Sequence, residues 1–245
     1  MTDAITIGRH RIGTDAPCFI IAEAGTAHGG DIDKAFALID AAERAGADCV
    51  KFQVVYADEI VHPRTGEVEL PGGRISLYEK FKSLEKEPAF FKRVKAHAEE
   101  RGLIFLATPF GEKSALLLRE IGVQSVKIAS PELNHFPLLA LVESFHVPLI
   151  LSTGVSTVSD IEAALRRLSD HVLILHCITS YPAPPEEYNL RLLPLLSRLF
   201  NRLVGVSDHS RDPLLVPLGA LLMGCLLYTS PSPRDRTRSR MPSSA

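Results

Sequence analysis

The chain has 245 residues, which is enough for one large α/β domain or two small ones. Hydrophobic residues make up 46% and charged residues 23%, so a sizeable core can form and wholesale disorder is excluded. A formal net charge of −2 and a pI near 6.5 give no general attraction to nucleic acid or acidic lipid, which makes a small-molecule partner the expectation.

No apolar run approaches the ~20 residues that span a bilayer, and the N-terminal stretch lacks the apolar core of a signal peptide. The four cysteines, at positions 18, 49, 177 and 225, lie far apart and do not have the spacing of a zinc site or a disulfide framework. We therefore expect a soluble, cytoplasmic protein with no membrane and no nucleic-acid partner.

Short apolar runs alternate with segments of helical period, an order that is typical of βαβ units. We predict seven strands, at 18–23, 49–53, 103–108, 125–129, 148–152, 172–177 and 203–207. The apolar residues within 35–42 and 161–168 recur at i, i+3, i+4 and i+7, which predicts amphipathic helices that cover a sheet.

Residues that start and stop helices support these assignments. Asp31 is placed to cap the first helix and Gly46 to end it, and Pro88 can open another. Thr157 and Asp160 have the spacing of a capping box.

Seven such units fit an open doubly wound sheet or a closed barrel, because periodicity does not report closure. No Gly-x-Gly-x-x-Gly motif follows the first predicted strand, and polar residues follow nearly every strand. A ring of polar groups at the C-terminal strand ends is where barrel enzymes carry their chemistry. We therefore predict an α/β fold, a (β/α)8 TIM-type barrel.

Two segments interrupt the pattern. Residues 56–77 are rich in Pro and Gly, and we predict a long surface loop near the active-site face that could act as a substrate lid. Residues 225–245 contain five Ser, three Pro and four Arg. This composition predicts a disordered, non-native tail after an incomplete barrel of residues 1–224, whose eighth unit is truncated or replaced. A natural basic tail is the alternative. The apolar stretch CLLYT (225–229) could also pair in the place of the eighth strand without supplying a metal ligand.

Two lysines stand out. Lys51 and Lys127 each lie in an apolar strand, from which the side chain would project toward the barrel axis or its mouth. An ammonium is costly there unless an anion meets it. With Thr108, Ser130 and Ser207 they form a plausible site for phosphate and carboxylate groups.

His209 follows the seventh strand in the sequence VSDHS, where an imidazole could bind a divalent metal or act as acid and base. Alone it cannot make a metal site. Its neighbour Asp208 could orient it or form an ion pair elsewhere.

Seven ordered motifs resemble those of the N-acetylneuraminate (sialic acid) synthase family. They are FIIAEAGTAHGGD (19–31), VKFQ (50–53), ATPF (107–110), VKIASPE (126–132), LSTG (151–154), LHCITSYPAP (175–184) and GVSDHS (205–210). The resemblance implies a metal-dependent condensation of phosphoenolpyruvate with an N-acylhexosamine such as N-acetylmannosamine, which yields a nine-carbon 2-keto sugar acid and phosphate.

The resemblance also implies roles for individual residues. The positions that match the family's phosphoenolpyruvate site are Lys51, Thr108, Lys127, Ser130 and Ser207. Those that match sugar-facing positions are Gln53, Glu132 and Tyr181. His209 matches one of two histidines that hold Mn²⁺ or Mg²⁺ and is a catalytic candidate with Glu23, an acidic residue near the reacting centre.

The chain departs from the family in three respects. Its first motif reads TAHGG and its sixth ITS where many members carry Asn, which leaves the choice of sugar open. LLYTS stands where the second metal histidine is expected. A C-terminal antifreeze-like domain, which in this family reaches the partner subunit of a homodimer, is absent from the sequence.

Two alternatives remain open at this point. A Schiff-base barrel aldolase would use Lys51 or Lys127 to form an imine with a keto acid. A fragment with little or no turnover is the other, because an open seven-stranded barrel leaves two unpaired strand edges.

Overall fold

The computed structural model describes residues 4–70 and 73–231. The strands are β1 (Ala4–Ile7), β2 (His10–Gly13), β3 (Phe19–Gly25), β4 (Cys49–Gln53), β5 (Glu67–Leu70), β6 (Gly73–Ser76), β7 (Ile104–Thr108), β8 (Val126–Ile128), β9 (Leu149–Ser152), β10 (Val172–Cys177), β11 (Leu203–Ser207) and β12 (Leu227–Thr229). The helices are α1 (Ile32–Arg44), α2 (Ala57–Ile60), α3 (Leu77–Lys82), α4 (Pro88–Glu100), α5 (Glu112–Ile121), α6 (Phe136–Glu143), α7 (Val158–Leu165), α8 (Leu192–Phe200) and α9 (Leu215–Leu222). Two short 3₁₀ helices, Ser130–Asn134 and Pro185–Tyr188, follow β8 and β10.

Eight parallel strands form a closed barrel in the order β3, β4, β7, β8, β9, β10, β11, β12. Neighbours in the barrel are neighbours along the chain, as successive βα units require. The predicted (β/α)8 barrel is confirmed, and each of the seven predicted strands is found within two residues of its expected bounds.

The eighth strand corrects the prediction that the barrel ends at residue 224. Leu227–Thr229 pairs with β11 on one side and with β3 on the other. Apolar Leu227 and Tyr228 fit a buried strand, although the composition of the whole tail suggested disorder. Residues 225–231 therefore belong to the barrel, and the two open edges that we expected are paired. The remainder of the predicted tail, 232–245, lies outside the described residues.

The helix starts and stops follow the predicted chemistry. Asp31 caps α1 by accepting hydrogen bonds from the backbone N–H groups of Asp33 (2.9 Å) and Lys34 (3.3 Å). Thr157 and Asp160 form the predicted capping box at the start of α7. Gly46, with φ +74°, lies just after the end of α1 in a conformation that glycine adopts readily.

We predicted a long surface loop for residues 56–77. The structure shows instead that this segment contains α2 and the β5–β6 hairpin. The carboxylate of Glu59 on α2 accepts hydrogen bonds from the backbone N–H groups of Lys113 (2.6 Å) and Ser114 (3.2 Å) at the start of α5. This contact fixes the segment at the C-terminal end of the barrel. Whether it acts as a lid stays a prediction.

The N-terminal hairpin β1–β2 fills the opposite end of the barrel. Its residues Ile5, Ile7 and Ile12 are buried in one apolar cluster with Phe19 and Leu203, which open their strands. A second cluster packs the outer faces of the strands against the helices. Because one mouth is filled by apolar residues, polar groups inside the barrel can meet ligand only at the C-terminal mouth.

Across the described residues, no helix is both long enough and apolar enough to cross a membrane.

Gly205 tests the closure of the barrel by β12. A Cβ atom there would collide with the backbone carbonyl of Leu227 and lie 2.7 Å from the side chain of Leu175. We expect Gly205→Ala to lower the free energy of unfolding by about 2 kcal/mol in urea titrations, because a backbone carbonyl cannot move aside as a flexible side chain can. The control is Gly219→Ala on α9, where Cβ meets the tip of Leu190 and helix propensity improves. Equal stability of the two variants would show that β12 does not lie against Gly205.

Candidate active site

The two predicted lysines lie inside the barrel near its C-terminal mouth. Lys51 on β4 and Lys127 on β8 are only 5% and 4% exposed. Lys51 faces Glu23 across the β3–β4 pair, and the Lys51 ammonium forms an ion pair with Oε2 of Glu23. One of the two buried cations therefore has a carboxylate partner.

Lys127 has neutral partners. Its Nζ donates hydrogen bonds to Oγ of Ser152 (2.5 Å) and to the backbone carbonyl of Ile128 (2.9 Å). Burial, followed by the charge of Lys51, lowers the pKa of Lys127 to about 7. A group that loses its proton near neutral pH inside a barrel mouth is a common feature of functional sites.

Three buried oxygens near the lysine-bearing strands have no hydrogen-bond partner among the described residues. They are Oε1 of Glu23, Oγ1 of Thr108 and Oγ1 of Thr229. Thr108 and Thr229 end β7 and β12, and Glu23 lies near the end of β3. Buried polar atoms are nearly always paired, so a group of unpaired ones at a barrel mouth points to a ligand that pairs them.

Ser130 lies in a crowded part of the mouth. Its Oγ accepts a hydrogen bond from the backbone N–H of Gly154 (3.0 Å) and lies 3.2 Å from Sγ of Cys177. A Cβ atom at Gly154 would collide with the side chains of Ser130, Cys177 and Thr179. Only glycine lets the β9 and β10 ends approach Ser130 this closely.

His209, Tyr181 and Ser207 come together on the other side of the mouth. Nε2 of His209 lies 3.5 Å from both the Tyr181 hydroxyl and Oγ of Ser207, and the Tyr181 and His209 ring centroids are 4.3 Å apart. Two hydrogen bonds fix the backbone of His209. The N–H of His209 donates to the hydroxyl of Tyr188 (2.7 Å), and the carbonyl of His209 accepts from the N–H of Ala183 (2.9 Å).

The sequence allowed Asp208 either to orient the ring of His209 or to form an ion pair. Among the described residues it contacts neither the His209 ring nor a basic side chain. Its fully buried carboxylate accepts hydrogen bonds from the hydroxyl of Tyr228 (2.6 Å) and the backbone N–H of Ser210 (2.8 Å). Burial and this hydrogen bond raise the pKa of Tyr228 well above its ordinary value, which keeps the phenol protonated as a donor. Asp208 thus ties β11 to β12.

The two other expected sugar-facing residues lie at the same mouth but outside this contact network. Gln53 ends β4, pairs in register with Thr108 and is partly exposed. Glu132 lies in the 3₁₀ helix after β8, where its carboxylate is 3.1 Å from Nδ1 of His135. Burial raises the pKa of Glu132, and the bond to His135 opposes this effect.

Two site residues were missing from our candidates. Ser152 follows the strand pattern, but only the structure shows that it binds Lys127. Thr229 falls in the stretch that composition assigned to a tail. The apolar stretch CLLYT indicated that a strand could form there, but only the structure shows that Thr229 lies beside Ser207.

The described residues do not fit a complete metal centre. They contain no cluster of three or more His, Cys, Asp or Glu side chains that could hold an ion. Nε2 of His209 lies 3.5 Å from two hydroxyl groups, which are weak metal ligands beside one imidazole. The expected second histidine has no counterpart in LLYTS.

A closed parallel barrel that carries its buried polar groups at the C-terminal mouth defines an α/β-barrel protein. The model of the NeuB family matches residues 38–228, which reach into the eighth strand. The chain belongs to the NeuB family.

Named relatives agree with this assignment. The spore coat polysaccharide biosynthesis protein SpsE of Bacillus subtilis is 40% identical over 230 residues, which cover 91% of this chain and 62% of that protein. The N,N'-diacetyllegionaminic acid synthase of Legionella pneumophila is 34% identical over 237 residues, 92% of this chain and 66% of that protein. The chain thus spans about two thirds or less of these relatives.

Among solved structures, the N-acetylneuraminic acid (sialic acid) synthetase of Leptospira borgpetersenii in complex with citrate superposes with a TM-score of 0.83 at 32% identity. The match covers 92% of this chain and 76% of that one.

The different surroundings of the two lysines predict opposite effects of the same substitution. We expect Lys127→Met to raise the free energy of unfolding by about 1–2 kcal/mol at pH 7, because it removes an amine that burial destabilises. We expect Lys51→Met to lower it by about 3 kcal/mol, because it leaves the buried carboxylate of Glu23 without its counter-charge. Urea denaturation of both variants measures this difference, and two equal losses would contradict it.

Proposed function

We propose that this chain carries the phosphoenolpyruvate site of a sialic-acid-type synthase. The reaction joins phosphoenolpyruvate to an N-acylhexosamine, N-acetylmannosamine or a relative, and gives a nine-carbon 2-keto sugar acid and phosphate. The observation that carries the proposal is the pair of buried lysines surrounded by buried oxygens that lack a partner. The names of the relatives, legionaminic acid synthase and sialic acid synthetase, support the same reaction class.

Phosphoenolpyruvate fits the charge of the site. Its carboxylate and phosphate together need cations and hydrogen-bond donors in a partly dry pocket. The proposed donors are Lys51, Thr108, Lys127, Ser130 and Ser207. The N-terminus of α5, a common place for phosphate, is already occupied by the carboxylate of Glu59, which favours the lysines instead.

Glu23 is the proposed proton-transfer group. Its Oε2 is held by Lys51 while its buried Oε1 has no partner in the described residues, so this oxygen can hold a proton at a fixed position. In the proposed sequence C3 of the enol attacks the sugar aldehyde, water adds to C2, and phosphate leaves with cleavage of the C–O bond.

The proposed sugar side of the site is formed by Gln53, Glu132 and Tyr181. An amide, a carboxyl group and a phenol can read hydroxyl and acetamido groups. The raised pKa of Glu132 lets this carboxyl group stay protonated, and so donate a hydrogen bond, up to a higher pH than an exposed one. Which N-acylhexosamine binds follows from these three side chains and from the TAHGG loop.

His209 is the one residue to which we assign a role in binding a divalent ion, Mn²⁺ or Mg²⁺. When bound, it would polarise the aldehyde. The described residues offer this ion one imidazole and no complete donor set, so no step above is assigned to it.

We also propose that the protein is a homodimer, as the family resemblance implies. Large apolar side chains are exposed along α8, α9 and the residues that flank α9, which supports an interface there. They are Leu195, Leu199, Leu214, Leu215, Leu218, Leu221, Leu222 and Met223.

The phosphoenolpyruvate site is tested by Thr108→Val. Because the Thr108 hydroxyl is buried without a partner in the described residues, its loss should leave the free energy of unfolding unchanged or raise it. A hydroxyl that binds an anion contributes roughly 10-fold to 100-fold in affinity, so the variant should bind phosphoenolpyruvate more weakly by that factor. Titration calorimetry with phosphoenolpyruvate measures the affinity. The control is Thr6→Val, at an exposed position of β1 at the N-terminal end of the barrel.

Equal affinity of wild type and Thr108→Val would show that Thr108 does not contact the ligand. No binding to the wild-type chain at all would contradict the proposed function.

The low pKa of Lys127 favours a second candidate, a Schiff-base aldolase, because a neutral amine is the nucleophile for imine formation. Treatment with pyruvate and borohydride distinguishes the two. We expect no adduct by mass spectrometry, and a stable adduct on Lys127 or Lys51 would replace the synthase proposal by the aldolase.

A further inference from the structure

The surroundings of Lys127 fit a neutral amine better than an ammonium ion. An ammonium has three N–H groups, and the described residues offer Lys127 two hydrogen-bond partners, Ser152 and the carbonyl of Ile128. Both partners are uncharged. The side chain is almost fully buried, so it has little contact with solvent.

The charge of Lys51 acts in the same direction, whereas Glu23 and Cys177 oppose it in part. Lys51 repels a second positive charge, and the carboxylate of Glu23 already pairs with Lys51. The thiol of Cys177, which also faces Lys127, lies against Ser130. Burial and Lys51 together lower the pKa of Lys127 to about 7, so above that pH the empty site holds mostly the amine.

Ser152 can serve both forms of the lysine. A hydroxyl both donates and accepts, so it can donate to the lone pair of the amine or accept from the ammonium. The switch requires only rotation of the hydroxyl hydrogen of Ser152. The backbone carbonyl of Ile128 accepts an N–H in either state.

We propose that binding of phosphoenolpyruvate is coupled to the uptake of one proton from solvent, and that this proton is held on Nζ of Lys127. The inference rests on the proposed function for the identity of the anion. No bond of the ligand changes in this step: the neutral amine becomes an ammonium, its third N–H meets the anion, and the charge of the bound anion replaces the missing counter-ion.

The coupling gives a defined pH dependence. Above pH 7 the empty site must gain the proton, so affinity falls as pH rises, by up to about tenfold per pH unit while Lys127 stays charged in the complex. Below pH 7 Lys127 is already charged, and its contribution to the pH dependence disappears. Loss of affinity therefore begins well below the ordinary lysine pKa.

Titration calorimetry at pH 8 measures the proton directly. At this pH the ligand phosphate is fully ionised, since its second pKa is about 6. The heat of phosphoenolpyruvate binding is measured in Hepes, Tricine and Tris, and its slope against the ionisation enthalpy of the buffer counts the protons. We expect about 0.9 proton for the wild-type chain. We expect close to zero for Lys127→Arg, whose charge is permanent, and an unchanged proton count for the control Lys92→Arg on the exposed face of α4.

A wild-type slope of zero with measurable binding would overturn the inference and leave the proposed function intact. Absence of binding heat would instead contradict the proposed function. If Lys127→Arg does not bind, Lys127→Met supplies the second measurement. Its weaker affinity should not change between pH 7.5 and 8.5, whereas the wild-type dissociation constant should rise nearly tenfold, and equal pH dependence in the two would place the proton elsewhere.

Discussion

Within the part of the chain that the structure describes, two buried lysines share the barrel interior with one carboxylate, and this shortage of negative charge sets the state of the second lysine. Glu23 neutralises Lys51. Lys127 is left with a serine hydroxyl and a backbone carbonyl, and burial lowers its pKa to about 7. An interior arranged in this way is less stable when empty than it would be with apolar residues, and it gains most from a ligand with several negative charges.

The rest of the barrel holds this arrangement in place and leaves it one entrance. The β1–β2 hairpin fills the N-terminal mouth with isoleucines, so water and ligand reach the lysines from the C-terminal mouth. There the backbone of His209 is fixed through Tyr188, and Asp208 ties β11 to β12 through Tyr228. These buried hydrogen bonds let a three-residue eighth strand complete the ring and place Thr229 at its end.

Much of this was predictable because barrel strands leave a strong local signal. Seven buried apolar runs separated by helical periods predicted the fold, and a lysine in the middle of an apolar run predicted a charge inside the barrel. The sequence could not tell the two lysines apart, since their difference comes from strand pairing: Glu23 faces Lys51 across β3–β4, whereas Lys127 approaches Ser152.

The misses have a physical cause as well. The composition of residues 225–245 favoured a tail over the strand that the short apolar stretch CLLYT could form, and Pro and Gly in 56–77 concealed a hairpin.

The most direct test of the central claim is a crystal structure of the chain with phosphoenolpyruvate. The account predicts that the anion lies between the two lysines, with oxygens within hydrogen-bond distance of Nζ of Lys51, Nζ of Lys127 and Oγ1 of Thr108. Phosphoenolpyruvate bound elsewhere, with Lys127 still contacting only Ser152 and Ile128, would contradict it.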